Sequence, residues 1–214
     1  MKLPEVSIIV PFNKDRGWLN EAIESIHYQT YKGKIWLLRS DIINPDTYQT
    51  NNVSQNINAA LLYCKGDYIK YLCDDDLLTP ICIEESVKAM QEQGCDFLHG
   101  NALVMQHGTN TNYYPPKGFE VPTLPQLVGL SMIHGTTLFY KAEVFKSHPL
   151  DESSSCCEEY DLNMKPLKEG YKIGYVNKFL AKYRRHDAQK SLGKGVDQAV
   201  RAKLIESIRA RYRG

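Results

Sequence analysis

Residues 66 to 80 read GDYIKYLCDDDLLTP. The stretch from Tyr68 to Cys73 is short and largely apolar, which fits a buried strand. Asp74, Asp75 and Asp76 follow it directly. Pro80 then stands where a proline opens a helix, Ile81 to Gln93, and Gly94 is its stop. In open α/β sheets ligands bind beyond the carboxyl ends of the strands, so this order puts three carboxylates at a favoured place for a site. Elsewhere three adjacent aspartates would read as a solvated loop, but hard divalent cations need clustered oxygen ligands of this kind.

Upstream, Val6 to Val10 is a continuous apolar run ended by Pro11, as in a strand of a parallel sheet. Leu19, Ala22, Ile23 and Ile26 fall at helical spacing within Trp18 to Gln29, and Gly33 separates that helix from a second strand, Ile35 to Leu38. Val53, Ile57, Ala60 and Leu61 mark a further helix over Asn51 to Cys64, with Gly66 as its stop. Downstream, Cys95 to Met105 reads as extended, in one strand or two. Gly108 to Pro125, rich in Gly, Asn, Tyr and Pro, reads as a mobile loop. Helices are expected at Leu124 to Leu130, Lys141 to Lys146 and Glu158 to Glu169, and strands at Thr137 to Tyr140, Tyr171 to Val176 and Phe179 to Tyr183.

A length of 214 residues suits one mid-sized α/β core, and apolar and charged fractions of 43% and 24% exclude disorder and fibrous structure. The net charge of +1 points to no polyanionic partner such as nucleic acid. Six cysteines without C-x-x-C spacing read as reduced thiols in a cytoplasmic setting, and no apolar run reaches membrane-spanning length. At the other end Val196, Val200, Leu204, Ile208 and Tyr212 recur every four residues. Six Lys or Arg against Asp197 and Glu206 make Lys194 to Arg213 basic. That helix either packs its apolar stripe on the domain or makes peripheral contact with an anionic membrane face. There is no G-x-x-x-x-G-K-[ST] loop and no G-x-G-x-x-G fingerprint, so phosphates must be held another way, for which a divalent cation on carboxylates is the natural means.

Four segments in order, SIIVPFN with LNEAIESIHYQTY, GDYIKYLCDDDLLTP, HGTTLFYKAEVF with CCEEYDLNMKPLKEGYKIGYV, and LAKYRRH, resemble the family 2 glycosyltransferases. The resemblance implies an α/β fold of GT-A type. Its central sheet would be Rossmann-like and mostly parallel, flanked by helices in a single domain over residues 1–191. Residues 1–100 would form a nucleotide-binding half and residues 101–191 an acceptor-binding half, with a C-terminal amphipathic basic helix over 192–214.

The same resemblance implies roles for residues. Pro11, Phe12 and Asn13 would border the nucleotide site. Counted back from Pro80, the first position of the family's acidic motif is Cys73, so the three aspartates divide its work: Asp75 as main metal ligand, Asp74 toward the ribose or the metal, Asp76 supporting the loop or the donor sugar. Asp41 is a candidate for the base or ribose, or else a turn cap. Glu159 takes the place of the family's catalytic Asp, with Glu158 and Asp161 beside it on the acceptor side or simply as helix-favouring acids. His134 and Gly135 would face the acceptor, His186 would complete the metal site, and Arg184 and Arg185 would contact diphosphate oxygens.

The reaction so implied moves a sugar from a nucleoside diphosphate sugar, UDP first among them, to a hydroxyl of a glycan or lipid-linked glycan, with inversion and with Mn2+ or Mg2+ as cofactor. Two alternatives remain at this stage, a non-catalytic nucleotide- or glycan-binding member and a nucleotidyltransferase. The loop from Gly108 to Pro125 is expected to close over the acceptor.

Overall fold

The computed structural model describes residues 2–14, 16–43, 52–106, 108–154, 156–187, 189 and 197–213. The Val6–Val10 strand (β1) is wholly buried, with Val6, Ile8 and Val10 in one apolar core and Ile9 in another. That two-sided burial is why four of its five residues are apolar rather than alternating, the exception being Ser7, whose buried hydroxyl accepts the Lys65 and Gly66 N–H groups. Helix Leu19–His27 (α1) leads to strand Ile35–Arg39 (β2), which pairs in parallel with β1. Ser40–Ile43 (α2) is a single helical turn. Val53–Leu61 (α3) starts at Asn52, whose side chain caps it by accepting the Gln55 N–H. Strand Tyr68–Tyr71 (β3) then pairs in parallel with the other side of β1. The chain thus reverses its direction of travel across the sheet between β1 and β3, a switch point that opens a crevice at their carboxyl ends.

The acidic loop does not run straight into a helix. Leu77–Leu78 (β4) first pairs antiparallel with the late strand Ile173–Arg184 (β8), and then comes Cys82–Gln93 (α4), ended by Gly94 at φ 58°. Phe97–Gln106 (β5) is one strand, parallel to β8, with a register shift at Asn101. The two strands expected over Tyr171 to Tyr183 are likewise the one continuous β8.

Within the stretch expected to be a mobile loop, Thr109–Tyr113 (β6) forms a hairpin with β5; the helix expected after it is Leu124–Gly129 (α5), with a capping box at Thr123 and Gln126. Backbone pairing to β5 anchors the first part of the segment, so the lid reading of the whole stretch is withdrawn. Phe139–Lys141 (β7) lies antiparallel between β3 and β5, followed by Ala142–Ser147 (α6) and Glu158–Lys168 (α7). The sheet order is β2-β1-β3-β7-β5-β8-β4, with β6 outside β5, and five of its eight strands share one direction. Helices α1 and α4 pack on one face, and α3, α5, α6 and α7 on the other.

The last helix, Gln198–Tyr212 (α8), also lies against this second face. Ile208 is fully buried there, with Leu204, Ile205 and Tyr212 packed around it. Arg209 donates to the Tyr160 hydroxyl and the Gly129 carbonyl, and Arg211 to Asp151 and Asp161. Packing on the domain therefore accounts for most of the apolar stripe; Val200 is exposed, and Val196 with the 191/192 boundary falls outside the described residues. No helix among the described residues is long and apolar enough to cross a membrane.

Two buried polar side chains brace the sheet. Beyond the last β3–β7 pair, Ile69 with Tyr140, the fully buried Lys70 donates from Nζ to the carbonyls of Thr136 (2.7 Å) and Leu138 (3.0 Å). It so pins the 3-10 turn Gly135–Thr137 to β3, and burial holds its pKa below that of an ordinary lysine. His99 of β5 donates from Nε2 to the Glu120 carbonyl at 2.8 Å, and burial lowers its pKa to about 4.

Both features are measurable. Lys70→Met leaves two buried carbonyls without their donor and is expected to destabilise the fold by roughly 2 kcal/mol or more, read by chemical denaturation. A change within 0.5 kcal/mol or so would contradict the bracing role. His99 stays neutral in the fold while an unfolded chain takes up a proton below about 6.5, so its contribution is complete above that pH and declines as pH falls toward 4. Between pH 7 and pH 5 the stability gap between wild type and His99→Gln should narrow by about 2 kcal/mol. A constant gap would refute the neutral assignment.

Candidate functional site

A cavity of about 230 Å3 opens at the carboxyl ends of β1 and β3. Pro11, Phe12 and Asn13, which follow β1, form one wall, and Val53, Asn56 and Ile57 of α3 another. Cys73, Asp74 and Asp75, which follow β3, form the floor with Tyr71. The N-terminus of α7 brings Cys157, Glu158 and Glu159; the end of β8 brings Tyr183 and His186; Gly135 and Thr136 come from the turn pinned by Lys70. Six separated chain segments thus meet where the sheet topology predicts a ligand.

The three aspartates point to three different partners. Asp74 Oδ2 meets Arg16 Nη1 at 3.2 Å, and Arg16 also reaches Asn13 Oδ1 at 3.4 Å. Burial, with the neighbouring Asp75 charge adding to it against the pull of Arg16, raises the Asp74 pKa to about 6. Asp75 Oδ2 lies 2.9 Å from His186 Nε2, and the His186 ring is braced by Trp18 at a centroid distance of 4.4 Å. Asp76 is 3% exposed; its Oδ1 accepts the Arg184 backbone N–H at 2.9 Å, and burial followed by the Asp75 charge pushes its pKa well above the usual carboxylate range.

This placement corrects part of the expected ligand set. Asp76 faces β8 rather than the cavity and is removed from the metal ligands, since its carboxylate serves to satisfy a buried strand N–H. Among the described residues no group of three or more His, Cys, Asp and Glu could by itself hold an ion. Asp75 and His186 do converge, and one carboxylate with one imidazole suits a cation that takes its remaining ligands from substrate phosphates.

Arg184 and Arg185 are not in the cavity wall. The Arg184 side chain donates from Nε to the Asp75 carbonyl (3.0 Å), pairs with Glu21 (2.6 Å) and lies 5.3 Å from the Trp18 ring, so it ties α1 to the acidic loop. Arg185 is turned toward β5, with its N–H on the Met105 carbonyl and its guanidinium by Gln106. Asp41 is likewise outside the wall, paired through both carboxylate oxygens with Arg39 (2.7 and 3.2 Å).

On the opposite side, Glu159 lines the cavity beside Gly135, where an added Cβ would come within 2.9 Å of the Glu159 Cγ and Oε1. A side chain at this position would displace that carboxylate from where it sits. Glu158 also lines the cavity, whereas Asp161, 2% exposed, is bound to Tyr212 (2.9 Å), Lys165 (3.1 Å) and Arg211 (3.3 Å) and serves to dock α8. His134 lines a second, adjoining cavity, packed edge-on against Tyr183 at 4.4 Å; burial first, and then the Arg185 and Lys70 charges, lower its pKa to about 4. Cys157 precedes α7 at φ 63°, the one non-glycine residue with positive φ among those described, a conformation that costs energy and tends to mark functional sites. Its thiol is pushed up to about 12 by burial and by contact with Cys156, so neither a thiolate nor a sulfur nucleophile is available near neutral pH.

Among the lining residues that escaped the sequence reading are Arg16, Arg201 and Asn56. Arg16 carried a signal, a basic residue in the loop after β1. Arg201 lies on α8, beyond the family-like segments, and Asn56 sits on a helix face where an amide reads as an ordinary polar residue; no sequence signal marks either.

Comparison with known proteins agrees with this geometry. The profile described as glycosyl transferase family 2 matches residues 47–148. An uncharacterized glycosyltransferase of Rickettsia typhi is 28% identical over 211 residues, covering 87% of this chain and 65% of that protein, so the chain spans under two thirds of that relative. The structure of Staphylococcus aureus TarS residues 1–349 in complex with UDP-GlcNAc is similar in fold, with a TM-score of 0.65 at 15% identity over 97% of this chain and 66% of that one. Glucosyl-3-phosphoglycerate synthase from Mycobacterium tuberculosis, in complex with Mn2+, UDP and phosphoglyceric acid, has a TM-score of 0.64 at 13% identity over 96% of this chain and 78% of that one. The profile match over residues 47–148, the relatives and the shared GT-A architecture make this chain similar to glycosyl transferase family 2.

Proposed function

We propose that the cavity binds a nucleoside diphosphate sugar and transfers its sugar, with inversion, to a hydroxyl of a glycan or lipid-linked glycan acceptor. The observation that carries this reading is that Asp75 with His186 and Glu159 with Gly135 line the same cavity at the switch point of the sheet. Pro11 to Asn13 border the nucleotide, and Arg16 holds Asp74 toward that side. UDP is the nucleotide in the TarS and M. tuberculosis synthase structures, which supports UDP as the first one to test.

Glu159 accepts the proton of the acceptor hydroxyl as its oxygen forms a bond to the anomeric carbon. The bond from that carbon to the diphosphate oxygen breaks on the opposite face, its electron pair leaves with the nucleotide, and configuration inverts. Asp75 and His186 are the residues that would hold Mn2+ or Mg2+, which when bound would neutralise charge on the departing diphosphate. Gly135 leaves the space in which the Glu159 carboxylate sits, and Lys70 fixes the turn that carries Gly135. The buried apolar walls of Tyr71, Ile57 and Leu150 exclude water that would otherwise compete for the donor.

Two outcomes check this assignment. A thermal-shift screen of nucleotide sugars should show stabilisation by one of them that requires Mn2+ or Mg2+ and is lost in Asp75→Asn. Glu159→Gln should keep that shift while lowering the transfer rate by about 100- to 10,000-fold, the range for loss of a general base. A variant that retains wild-type turnover would remove Glu159 from the chemistry, and a shift indifferent to Asp75 would remove that residue from the diphosphate site.

A further inference from the structure

Four arginines of α8 lie among the described residues before its C-cap or at it, and three of them are spoken for. Arg209 is bonded to Tyr160 and Gly129, Arg211 to Asp151 and Asp161, and Arg213 to Glu206. Arg201 alone among them reaches the functional cavity, and its guanidinium makes no hydrogen bond or ion pair among the described residues. Every other arginine of the cavity wall is matched, since Arg16 is paired with Asp74.

Arg201 also lines the adjoining second cavity, together with Ser131, His134, Tyr183 and Glu159. No aspartate of the acidic loop and no residue of the loop after β1 borders that second cavity. Arg201 and Glu159 thus border both cavities, whereas Asp75 and His186, where a diphosphate is proposed to bind, line the first cavity alone of the two. A guanidinium offers a planar fork of donors matched to two oxygens of a phosphate or carboxylate, and a half-buried one gains most from an anion that replaces lost water. Ser131 adds a hydroxyl donor beside it.

We propose that Arg201 and Ser131 form an oxyanion subsite of the acceptor, so that the hydroxyl compound glycosylated here carries a phosphate or carboxylate group. Anchoring that group in the second cavity would bring a hydroxyl a few bonds away toward Glu159, which borders both cavities. The proposal rests on the glycosyl-transfer reading for the word acceptor, but the subsite itself is defined by binding alone.

The test uses the full chain in Mg2+ buffer, with and without saturating UDP, and three probes: inorganic phosphate, acetate and neutral glycerol. Binding is followed by NMR at the Arg201 Nε–H and the Ser131 amide. At least one oxyanion should produce a saturable shift at both positions, UDP should not displace it, and glycerol should give none. Arg201→Gln should weaken binding reported by Ser131 at least fivefold, with Arg201→Lys in between. A preference for phosphate or for acetate names which group the acceptor carries. No saturable shift, displacement by UDP, or equal affinity in Arg201→Gln would each overturn the subsite. Normal UDP binding without oxyanion binding removes this inference alone, whereas oxyanion binding in a protein that binds no nucleotide sugar removes the transferase reading instead.

Discussion

A buried carboxylate must find a donor, and the way Asp76 does so shapes the site. By accepting the Arg184 backbone N–H it joins the acidic loop to the end of β8, strands that lie 108 residues apart in sequence. The short β4–β8 pairing, Leu77 with Lys182 and Leu78 with Ala181, continues the same seam. Because Arg184 is fixed there, His186 two residues on is carried to Asp75, and Tyr183 one residue back is carried to the cavity wall. Had the loop been free to solvate all three aspartates, neither contact would be set.

The division of labour among Asp74, Asp75 and Asp76 follows from what surrounds each. Asp74 has a mobile-headed cation, Arg16, for a partner; Asp75 has an imidazole; Asp76 has a backbone N–H. Burial and crowding of like charge together raise the pKa of Asp74 and Asp76, an arrangement that favours arrival of positive charge at Asp75, the least buried of the three. On the far side, Lys70 reaches under the sheet to hold the Gly135 turn, and the missing side chain of Gly135 leaves room for Glu159. The proposed acid-base and diphosphate halves of the site are therefore both anchored on β3, through Lys70 and through the loop that follows Tyr71.

Much of this was legible from residue order. The largely apolar β1, the helix stops at Gly94 and Gly170, and the placement of the acidic loop after a strand come from local signals, and each stands in the structure. Side-chain direction was not legible, because three consecutive residues after a strand carry no periodicity that says which faces the ligand. For the same reason Arg184 and Arg185 read as phosphate contacts although one is consumed by Glu21 and the Asp75 carbonyl and the other turns toward β5. Asp161 reads like its acidic neighbours in sequence, yet a helical turn carries it under α8. The β6 hairpin was hidden by its composition, Thr-Asn-Thr-Asn-Tyr, which resembles a loop until β5 supplies the partner. Arg201 depended on how a terminal helix docks, a tertiary fact with no local trace.

The central claim is that Asp75 and His186 hold a divalent cation against a nucleotide diphosphate. Pulsed electron paramagnetic resonance of the protein with Mn2+ and UDP reads this directly through couplings from the metal to neighbouring nuclei. The account predicts both a phosphorus coupling from the diphosphate and a histidine nitrogen coupling that disappears in His186→Ala. A Mn2+ signal without phosphorus coupling, or a nitrogen coupling that survives that substitution, would contradict it.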